Sequence, residues 1–341
     1  MARASNLRSV ARALVADNKG ILAADESHPT IAKRFKGIEL ESTEDNRRAY
    51  RDMLFTTAGL EDFISGVILF DETIRQSSGD GTAFADLLAS KGIIPGIKVD
   101  KSAKDLALFP GEKITEGLDG LRGRLEEYVS MGARFTKWRA VITIGEGTPT
   151  DYCIRANAHA LGRFAALSQE AGMVPIVEPE VLMDGDHTID RCHEATERTL
   201  RTLFGELQEA RIDLQGTLLK TNMVLSGNNA SHRAGVEEVA QQTVACLREC
   251  VPTDIPGIVF LSGGQSDEDA TAHLSAMNRL GDHPWELSFS YGRALQAPAL
   301  DAWKGDAANI DAGQRALHHR ARLNGAARSG SYTPDMETAA A

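Results

Sequence analysis

Short runs of apolar, β-favouring residues recur along the chain, and most are followed by polar residues and then by a helical pattern. These runs lie at residues 20–25, 66–71, 93–100, 133–139, 174–180, 216–220, 257–262 and 286–291. Amphipathic stretches of helical length separate several of them, at residues 155–171, 189–210, 236–248 and 267–280. Roughly eight strand–helix units without a Pro/Ser-rich linker predict a single α/β domain, a (β/α)8 barrel of the TIM type.

The two ends of the chain depart from this repeating pattern. Residues 1–16 are rich in arginine and contain no acidic residue, which resembles a transit peptide. Their spacing also predicts an amphipathic helix, the interpretation that we favour, whose apolar face contains Leu7, Val10, Leu14 and Val15. The Ala/Ser-rich segment 329–341 predicts a flexible C-terminal tail, so we expect the barrel, with its N-terminal helical extension, to span residues 1–328.

Composition and charge narrow the possible partners. The 341 residues are 42% hydrophobic and 25% charged, as in an ordinary globular protein. A net charge of −11 argues against a nucleic-acid or acidic-membrane partner, and the apolar runs are too short to span a bilayer. The four cysteines form no CxxC pair, which suits a reducing compartment, so we expect a cytoplasmic location. A local cluster of lysine and arginine could still receive an anionic small molecule.

Charged and hydroxyl side chains close most of the apolar runs. In a (β/α)8 barrel these ends meet at one face, where active sites are built. Strand ends are also polar because the chain leaves the core there, but that explanation does not favour lysines and carboxylates over serine, asparagine or glycine. Repulsion among several gathered lysines would lower the pKa of at least one amine. The residues concerned are Asp25, Asp71, Lys98, Lys137 with Arg139, Glu178 with Glu180, Lys220, Ser262 and Arg293.

Lys220 closes the apolar run at residues 216–220. A free lysine amine, with a reference pKa of about 10.4, is protonated at neutral pH and cannot attack a carbonyl. Desolvation or a neighbouring cation would leave the amine neutral and able to form a Schiff base. The alternative, a lysine that extends into solvent, leaves Asp25 and Glu178 unexplained. Glu178 and Glu180 would share one face of a strand and supply an acid–base group, because close carboxylates raise one pKa.

Two glycine-containing turns follow the last two apolar runs. The turn SGGQS at residues 262–266 leads into a helix, so its backbone N–H groups could approach a phosphate. The turn YGR at residues 291–293 adds a guanidinium, which can bind phosphate through two hydrogen bonds. Phosphate sites after the last two strands recur in this fold. We therefore predict an anion site formed by both turns.

A metal centre is an alternative that the sequence also raises. Acidic, histidine and cysteine residues cluster in the segment DGDHTIDRCH, as a zinc-dependent lyase would need. No His-x3-His or CxxC pair accompanies them, and the segment is more typical of a loop that ends in a capped helix start. We therefore expect no metal site among Asp184, Asp186, His187, Cys192 and His193.

Taken together, these segments resemble the class I, Schiff-base-forming fructose-bisphosphate aldolases. The matching segments are GILAADES, GIKVDK, KWR, VPIVEPEVL, GTLLKTNMV, FLSGGQS and SFSYGRALQA, in family order and over most of the chain. The resemblance implies a cytoplasmic (β/α)8 barrel, usually a homotetramer, that works without metal or cofactor. It also implies a carbon–carbon lyase of glycolysis and gluconeogenesis (EC 4.1.2.13), which reversibly cleaves fructose 1,6-bisphosphate into dihydroxyacetone phosphate and glyceraldehyde 3-phosphate.

The resemblance assigns a role to each candidate residue. It makes Lys220 the Schiff-base lysine and Glu178 its proton shuttle, with Glu180 beside it. It makes Asp25 the base that takes the proton of the C4 hydroxyl, and Lys137 the cation that favours a neutral amine at Lys220. The family's pocket for the dihydroxyacetone-phosphate end corresponds to Ser262, Gly263, Gly264, Ser290, Gly292 and Arg293. The residues around the other phosphate correspond to Ser27, Arg34, Lys98 and Arg139, with Thr30 where a serine is common.

Two positions differ from the family pattern. Thr221 replaces the proline that commonly follows the Schiff-base lysine, which restores a backbone N–H. Vertebrate-type members end in a tyrosine that assists enamine protonation, whereas the last tyrosine of this chain is Tyr332. Either Tyr332 folds back, or another acid or water supplies that proton, or turnover is slower.

Two other functions are compatible with parts of the pattern. A transaldolase-like or deoxyribose-phosphate aldolase-like barrel would also use a Schiff base, but two phosphate sites argue against a monophosphate substrate. A non-catalytic phosphosugar-binding barrel would explain the phosphate sites, but it would have no need of a neutral amine.

Overall fold

Eight parallel strands close into a barrel in the computed structural model, which describes residues 2–338. The strand order around the barrel is β1-β10-β9-β8-β7-β6-β3-β2, and β1 pairs with both β10 and β2. The predicted (β/α)8 fold is therefore confirmed. The strands are β1 (Gly20–Ala24), β2 (Ile64–Leu69), β3 (Ile94–Lys98), β4 (Ala103–Asp105), β5 (Lys113–Thr115), β6 (Phe135–Ile142), β7 (Val174–Val181), β8 (Leu218–Thr221), β9 (Gly257–Phe260) and β10 (Glu286–Tyr291), of which β4 and β5 form a separate antiparallel pair.

Helices surround the barrel, and side-chain caps explain where several begin. The predicted helix at 155–171 starts four residues earlier because the side chain of Thr150 accepts a hydrogen bond from the backbone N–H of Cys153. The helices are α1 (Ala2–Leu14), α2 (His28–Lys36), α3 (Glu44–Phe55), α4 (Asp71–Ile74), α5 (Phe84–Ser90), α6 (Leu121–Ser130), α7 (Asp151–Glu170), α8 (Ile189–Glu209), α9 (Val236–Cys250), α10 (Asp267–Arg279), α11 (Arg293–Trp303) and α12 (Ile310–Arg328). No helix in the described part of the chain is long and apolar enough to cross a membrane.

Helix α1 packs across the end of the barrel where the strands begin. Leu14 is fully buried there, beside Phe135 and Leu218, and its carbonyl accepts a hydrogen bond of 2.6 Å from Ser65 Oγ. Glycine at position 66 makes room for it, since a Cβ there would lie 2.6 Å from Leu14 Cδ2. The predicted amphipathic helix is thus confirmed, and it closes the barrel end opposite to the functional side chains.

The C-terminal segment lies against the barrel over its described part. Tyr332 is only 5% exposed, and its hydroxyl donates a hydrogen bond of 2.9 Å to Glu337 Oε1. Arg320 of α12 donates to both carboxylate oxygens of Glu337 at 2.7 Å. Within the segment that composition predicts to be a flexible tail, Tyr332 and Glu337 are therefore docked on α12, and residues 339–341 lie outside the described residues. The division of the chain at residue 328 stays a prediction.

Candidate active site

The strands end around a cavity of about 500 Å³ at the mouth of the barrel. Every residue that the sequence and the resemblance nominate for catalysis or phosphate binding lines this cavity: Lys220, Glu178, Asp25, Lys137, Glu180, Ser27, Arg34, Lys98, Arg139, Ser262, Gly263, Gly264, Ser290, Gly292 and Arg293. Asp71 is the exception among the polar strand ends. It pairs instead with Arg75, 2.9 Å away, and accepts a hydrogen bond from Tyr128, so it serves the outer wall of the barrel.

Lys220 is buried at the end of β8, with a residue exposure of 4%. Its Nζ lies 3.2 Å from Glu178 Oε1 on the neighbouring strand β7. Strand register explains the contact, because β7 and β8 pair Val177 with Leu219, and the next residues along are Glu178 and Lys220. The structure thus contradicts a lysine that extends into solvent and places the amine beside a carboxylate within the cavity.

Lys137 is the centre of the buried charges. Its Nζ lies 2.7 Å from Asp25 Oδ2, 3.5 Å from Glu178 Oε2 and 3.9 Å from Asp100 Oδ2. Burial acts to lower the pKa of Lys137, but the attraction of these three carboxylates outweighs it and raises that pKa above its ordinary value. Lys137 is therefore not an amine whose pKa is lowered by the gathered lysines, because carboxylates lie between it and the other cations.

The pKa of Asp25, the residue that follows β1, is shifted in the opposite direction, below its ordinary value. Burial acts to raise the pKa of its carboxyl group, but the positive charges of Lys137, Lys220 and Lys98 lower that pKa to about 2. Asp25 is consequently an ionised carboxylate at every physiological pH. A carboxylate held among cations in this way can accept a proton only from a group that is brought directly against it.

Asp100 holds two of the cationic strand ends, although its role was not predicted from the sequence. Strands β3 and β6 pair Lys98 directly with Lys137. Asp100 Oδ1 lies 2.5 Å from Lys98 Nζ, and Oδ2 accepts a hydrogen bond of 3.2 Å from the backbone N–H of Arg139. The side chain of Arg139 then pairs with Glu180. The signal was present in the sequence, since Asp100 ends the run at 93–100 two residues after Lys98.

One group of polar residues surrounds the turns after β9 and β10. Gly263 has a φ of +55°, a conformation that favours glycine, and a Cβ at Gly264 would lie 2.9 Å from Met183 Sδ. Ser290 Oγ is buried and has no hydrogen-bond partner within the described chain. Arg293 donates to the backbone carbonyl of Gln265, which fixes the guanidinium beside the first turn. Backbone N–H groups, a free hydroxyl and a cation are suitable ligands for a phosphate.

A second group lies between β1 and α2. Ser27 Oγ and Thr30 Oγ1 are 3.1 Å apart, and Arg34 pairs with the buried Glu26. Glu26 is a further residue that sequence reasoning missed, and its position next to Asp25 was the signal. A Cβ at Gly292 would lie 3.5 Å from Arg34 Nη2. This distance places Arg34 beside the turn that carries Arg293, the pocket assigned to the dihydroxyacetone-phosphate end.

The acidic and histidine cluster that the sequence raised as a metal centre does not converge at the mouth. Asp184 and Cys192 line the cavity, whereas His193 bonds Gln242 on the next helix, with Nδ1 2.8 Å from Oε1. Cys192 is buried and accepts a hydrogen bond from the backbone N–H of Leu225. The loop-and-helix interpretation agrees with this placement, since Thr188 caps α8 by accepting from the N–H of Arg191.

Comparison with known proteins agrees with this geometry. The family model of class I fructose-bisphosphate aldolases matches residues 6–341. A probable fructose-bisphosphate aldolase class 1 from Xanthomonas campestris pv. campestris is 60% identical over 96% of this chain and 98% of its own length. The fructose-bisphosphate aldolase of Dictyostelium discoideum is 49% identical over 99% of this chain and 96% of its own. This chain belongs to the class I fructose-bisphosphate aldolase family.

A solved aldolase structure shows the same architecture. The fructose-bisphosphate aldolase from Plasmodium falciparum, crystallised with TRAP and a small-molecule inhibitor, superposes with a TM-score of 0.96 at 47% identity, covering 98% of this chain and 96% of that one. The present aldolase is therefore a carbon–carbon lyase, EC 4.1.2.13. The family assignment decides against the other Schiff-base barrels and against a non-catalytic phosphosugar-binding barrel.

Proposed function

We propose that Lys220 forms the Schiff base of this aldolase, that Glu178 and Asp25 transfer the protons, and that Lys137 is the cation between them. The observation that carries the proposal is the unbroken buried line of contacts from Asp25 through Lys137 and Glu178 to Lys220. Such a line lets one amine react while its neighbours give and take protons without bulk water. Lys137 remains a cation, because the carboxylates around it raise its pKa.

Imine formation needs a nucleophile and an acid on the same side of the substrate. Lys220 Nζ adds to the C2 ketone of fructose 1,6-bisphosphate, and the ketone oxygen leaves as water after protonation by Glu178. The 3.2 Å separation of Glu178 Oε1 and Lys220 Nζ suits this transfer. Glu178 Oε2 has no hydrogen-bond partner within the described residues, so the carboxylate retains capacity for a substrate hydroxyl.

Carbon–carbon cleavage needs a base at the C4 hydroxyl. The ionised Asp25 takes the O4 proton, the C3–C4 electron pair moves into the iminium, and glyceraldehyde 3-phosphate leaves. The resulting enamine is protonated at C3, and water then hydrolyses the imine to release dihydroxyacetone phosphate and the free amine. Positive charge at Lys137, 2.7 Å from Asp25, keeps the carboxylate ionised before each turnover.

The two polar groups at the mouth would hold the two phosphates. Ser262, Gly263, Gly264, Ser290, Gly292 and Arg293 would bind the dihydroxyacetone-phosphate end, and Arg34 joins them because it lies beside Gly292. Ser27, Lys98 and Arg139 would face the other phosphate, with Asp100 as the residue that positions Lys98. Two anchored phosphates fix the sugar so that C2 lies at Lys220 and O4 at Asp25, which contributes orientation to the rate.

Steady-state kinetics of single variants test these roles. Glu178→Gln should lower kcat by about 10²–10⁴-fold, the range for loss of a general acid–base group. Lys220→Ala should lose still more, because no imine can form. Lys91→Ala is the matched control, because Lys91 is a partly buried lysine whose Nζ donates to the carbonyl of Thr57, outside the cavity. Normal turnover by Lys220→Ala would overturn the proposal.

We also propose that this aldolase acts in the cytoplasm as a homotetramer. An Arabidopsis thaliana relative, 49% identical, is called fructose-bisphosphate aldolase 4, cytosolic. The family resemblance supports four subunits. Sedimentation equilibrium should give a mass four times the 36.8 kDa of one chain, and a mass of 36.8 kDa would contradict the tetramer.

A further inference from the structure

A second cluster of metal-ligating side chains lies on the outer wall of the barrel, between α8 and α9. His193 and Glu197 are four residues apart on α8, so both side chains lie on one face of the helix. Glu249 approaches from α9, and one ligand atom from each of the three residues lies within 4.8 Å of the other two. None of the three lines the cavity at the mouth of the barrel.

Within the part of the chain that the structure describes, the hydrogen bonding of His193 leaves one ring nitrogen available to a metal. Nδ1 lies 2.8 Å from Gln242 Oε1, an amide oxygen that can only accept, so Nδ1 carries the hydrogen. The lone pair is then on Nε2. Histidines that bind metals in proteins are commonly held in this way, with the second nitrogen donating to a fixed oxygen that sets the tautomer and the ring orientation.

The two carboxylates of the cluster already attract a cation. Arg201 Nε lies 2.8 Å from Glu197 Oε1, and Arg201 Nη2 lies 3.9 Å from Glu249 Oε2. The guanidinium offsets repulsion between two carboxylates that converge from different helices. It offers nothing to the lone pair of His193, whereas a divalent metal ion would satisfy all three groups at once.

We propose that His193, Glu197 and Glu249 form a binding site for a divalent transition-metal ion of the zinc class, which links α8 to α9. One imidazole nitrogen and two carboxylate oxygens are a ligand set that suits zinc, whereas magnesium and calcium prefer oxygen ligands alone. Water would complete the coordination. The ion ties two neighbouring helices of the outer wall together, so its effect is on stability and not on the aldol chemistry.

Calorimetric titration of the full-length protein with Zn²⁺, followed by thermal unfolding, tests the site. We expect His193→Ala to weaken zinc binding by at least about tenfold and to abolish the zinc-dependent rise in Tm. Gln242→Leu should weaken it by about 10–100-fold through loss of the oriented imidazole. Arg201→Ala should tighten binding, because it removes the competing cation. If the cluster were only a structural set of ion pairs, Arg201→Ala would not increase the affinity for zinc.

Controls separate this site from other zinc ligands of the chain. His159→Ala should bind zinc as the wild type does, because His159 pairs only with Glu206, 3.1 Å away, and belongs to no three-residue ligand group among the described residues. Zinc binding that survives His193→Ala but disappears in Cys246→Ser/Cys250→Ser would assign the ion to thiols on α9 and overturn the proposal. Equal binding of Mg²⁺, or no zinc binding by the wild type, would overturn it as well.

Discussion

At Asp25, burial and charge act on one carboxyl group in opposite directions. Burial favours the neutral acid, whereas Lys137, Lys220 and Lys98 favour the carboxylate, and the cations prevail, with a pKa of about 2. For Lys137, burial acts to lower the pKa of the amine, but Asp25, Glu178 and Asp100 together raise it. The pair is thus charged in the resting enzyme, which readies Asp25 as a base but not as an acid.

Removing the charge of Asp25 should separate imine formation from cleavage. Asp25→Asn keeps the shape of the side chain but cannot accept the O4 proton, so we expect kcat for cleavage to fall by about 10²–10⁴-fold. Dihydroxyacetone phosphate has no C4 hydroxyl, so its imine should still form and be trapped by borohydride. Measuring the cleavage rate and the borohydride-trapped imine on the same variant tests whether Asp25 is the base at the C4 hydroxyl. Equal loss of trapping and of cleavage would show that Asp25 serves imine formation instead.

The low pKa of Asp25 also predicts how stability depends on pH. A carboxyl group with a pKa of about 2 when folded and about 3.9 when unfolded stabilises the fold by about 2–3 kcal/mol. This contribution is complete above about pH 5 and is lost as the pH falls through about 2. The urea concentration at the unfolding midpoint should therefore differ less between the wild type and Asp25→Asn as the pH falls from 5 to 2. A difference that stays constant from pH 5 to pH 2 would contradict it.

Among the helices and strands, α1 precedes the first barrel strand and closes one end of the barrel. It fills the barrel end opposite to the active site, where Leu14 packs against Gly66 and Val15, the residue after the helix, packs against Gly257. The barrel interior is therefore closed at that end by apolar side chains, whereas buried ion pairs join neighbouring strands at the mouth.

Leu14→Ala should measure the contribution of α1. Leu14 is fully buried, so its truncation leaves a cavity, and we expect a loss of about 2–5 kcal/mol in the free energy of unfolding. Arg12→Ala, on the exposed side of the same helix, should stay within about 0.5 kcal/mol of the wild type. Urea unfolding compares the two. If both variants behave alike, α1 does not close the barrel.

The recurring apolar runs and the polar residues that end them made the barrel predictable from the sequence. The side-chain contacts between neighbouring strands were not predictable in this way. The run at 216–220 was enough to place Lys220 at a strand end. The contact between Glu178 and Lys220 depends on the register of β7 against β8, which is set by the fold and cannot be read from the sequence. Asp100 and Glu26 were missed for the same reason. Each lies within two residues of a nominated side chain, but each also has a partner on another element, Lys137 of β6 for Asp100 and Arg51 of α3 for Glu26.

For the whole molecule, the docked C-terminal segment bears on how the enamine is protonated. Burial and the nearby Glu337 raise the pKa of Tyr332, which makes its hydroxyl a poor acid. Its hydrogen bond to Glu337 and the bonds from Arg320 hold it on α12, and Tyr332 does not line the cavity. In this conformation, protonation at C3 falls to a group within the barrel or to water.

Tyr332→Phe should accordingly leave catalysis intact. We expect kcat, and the exchange of the C3 proton of dihydroxyacetone phosphate with solvent, to stay within about twofold of the wild type, because the hydroxyl faces Glu337. Stability should fall by about 1 kcal/mol through the lost hydrogen bond. Tyr152→Phe, at an exposed tyrosine, provides the control. A tenfold loss of proton exchange in Tyr332→Phe alone would show that Tyr332 leaves its docked position during turnover.

The most direct test of the central claim is the position of the trapped imine. The enzyme is incubated with dihydroxyacetone phosphate, reduced with borohydride, digested, and mapped by peptide mass spectrometry. We expect a single reduced adduct, on Lys220, and no adduct in Lys220→Ala. An adduct on Lys98 or Lys137, or no adduct under conditions where cleavage proceeds, would contradict it.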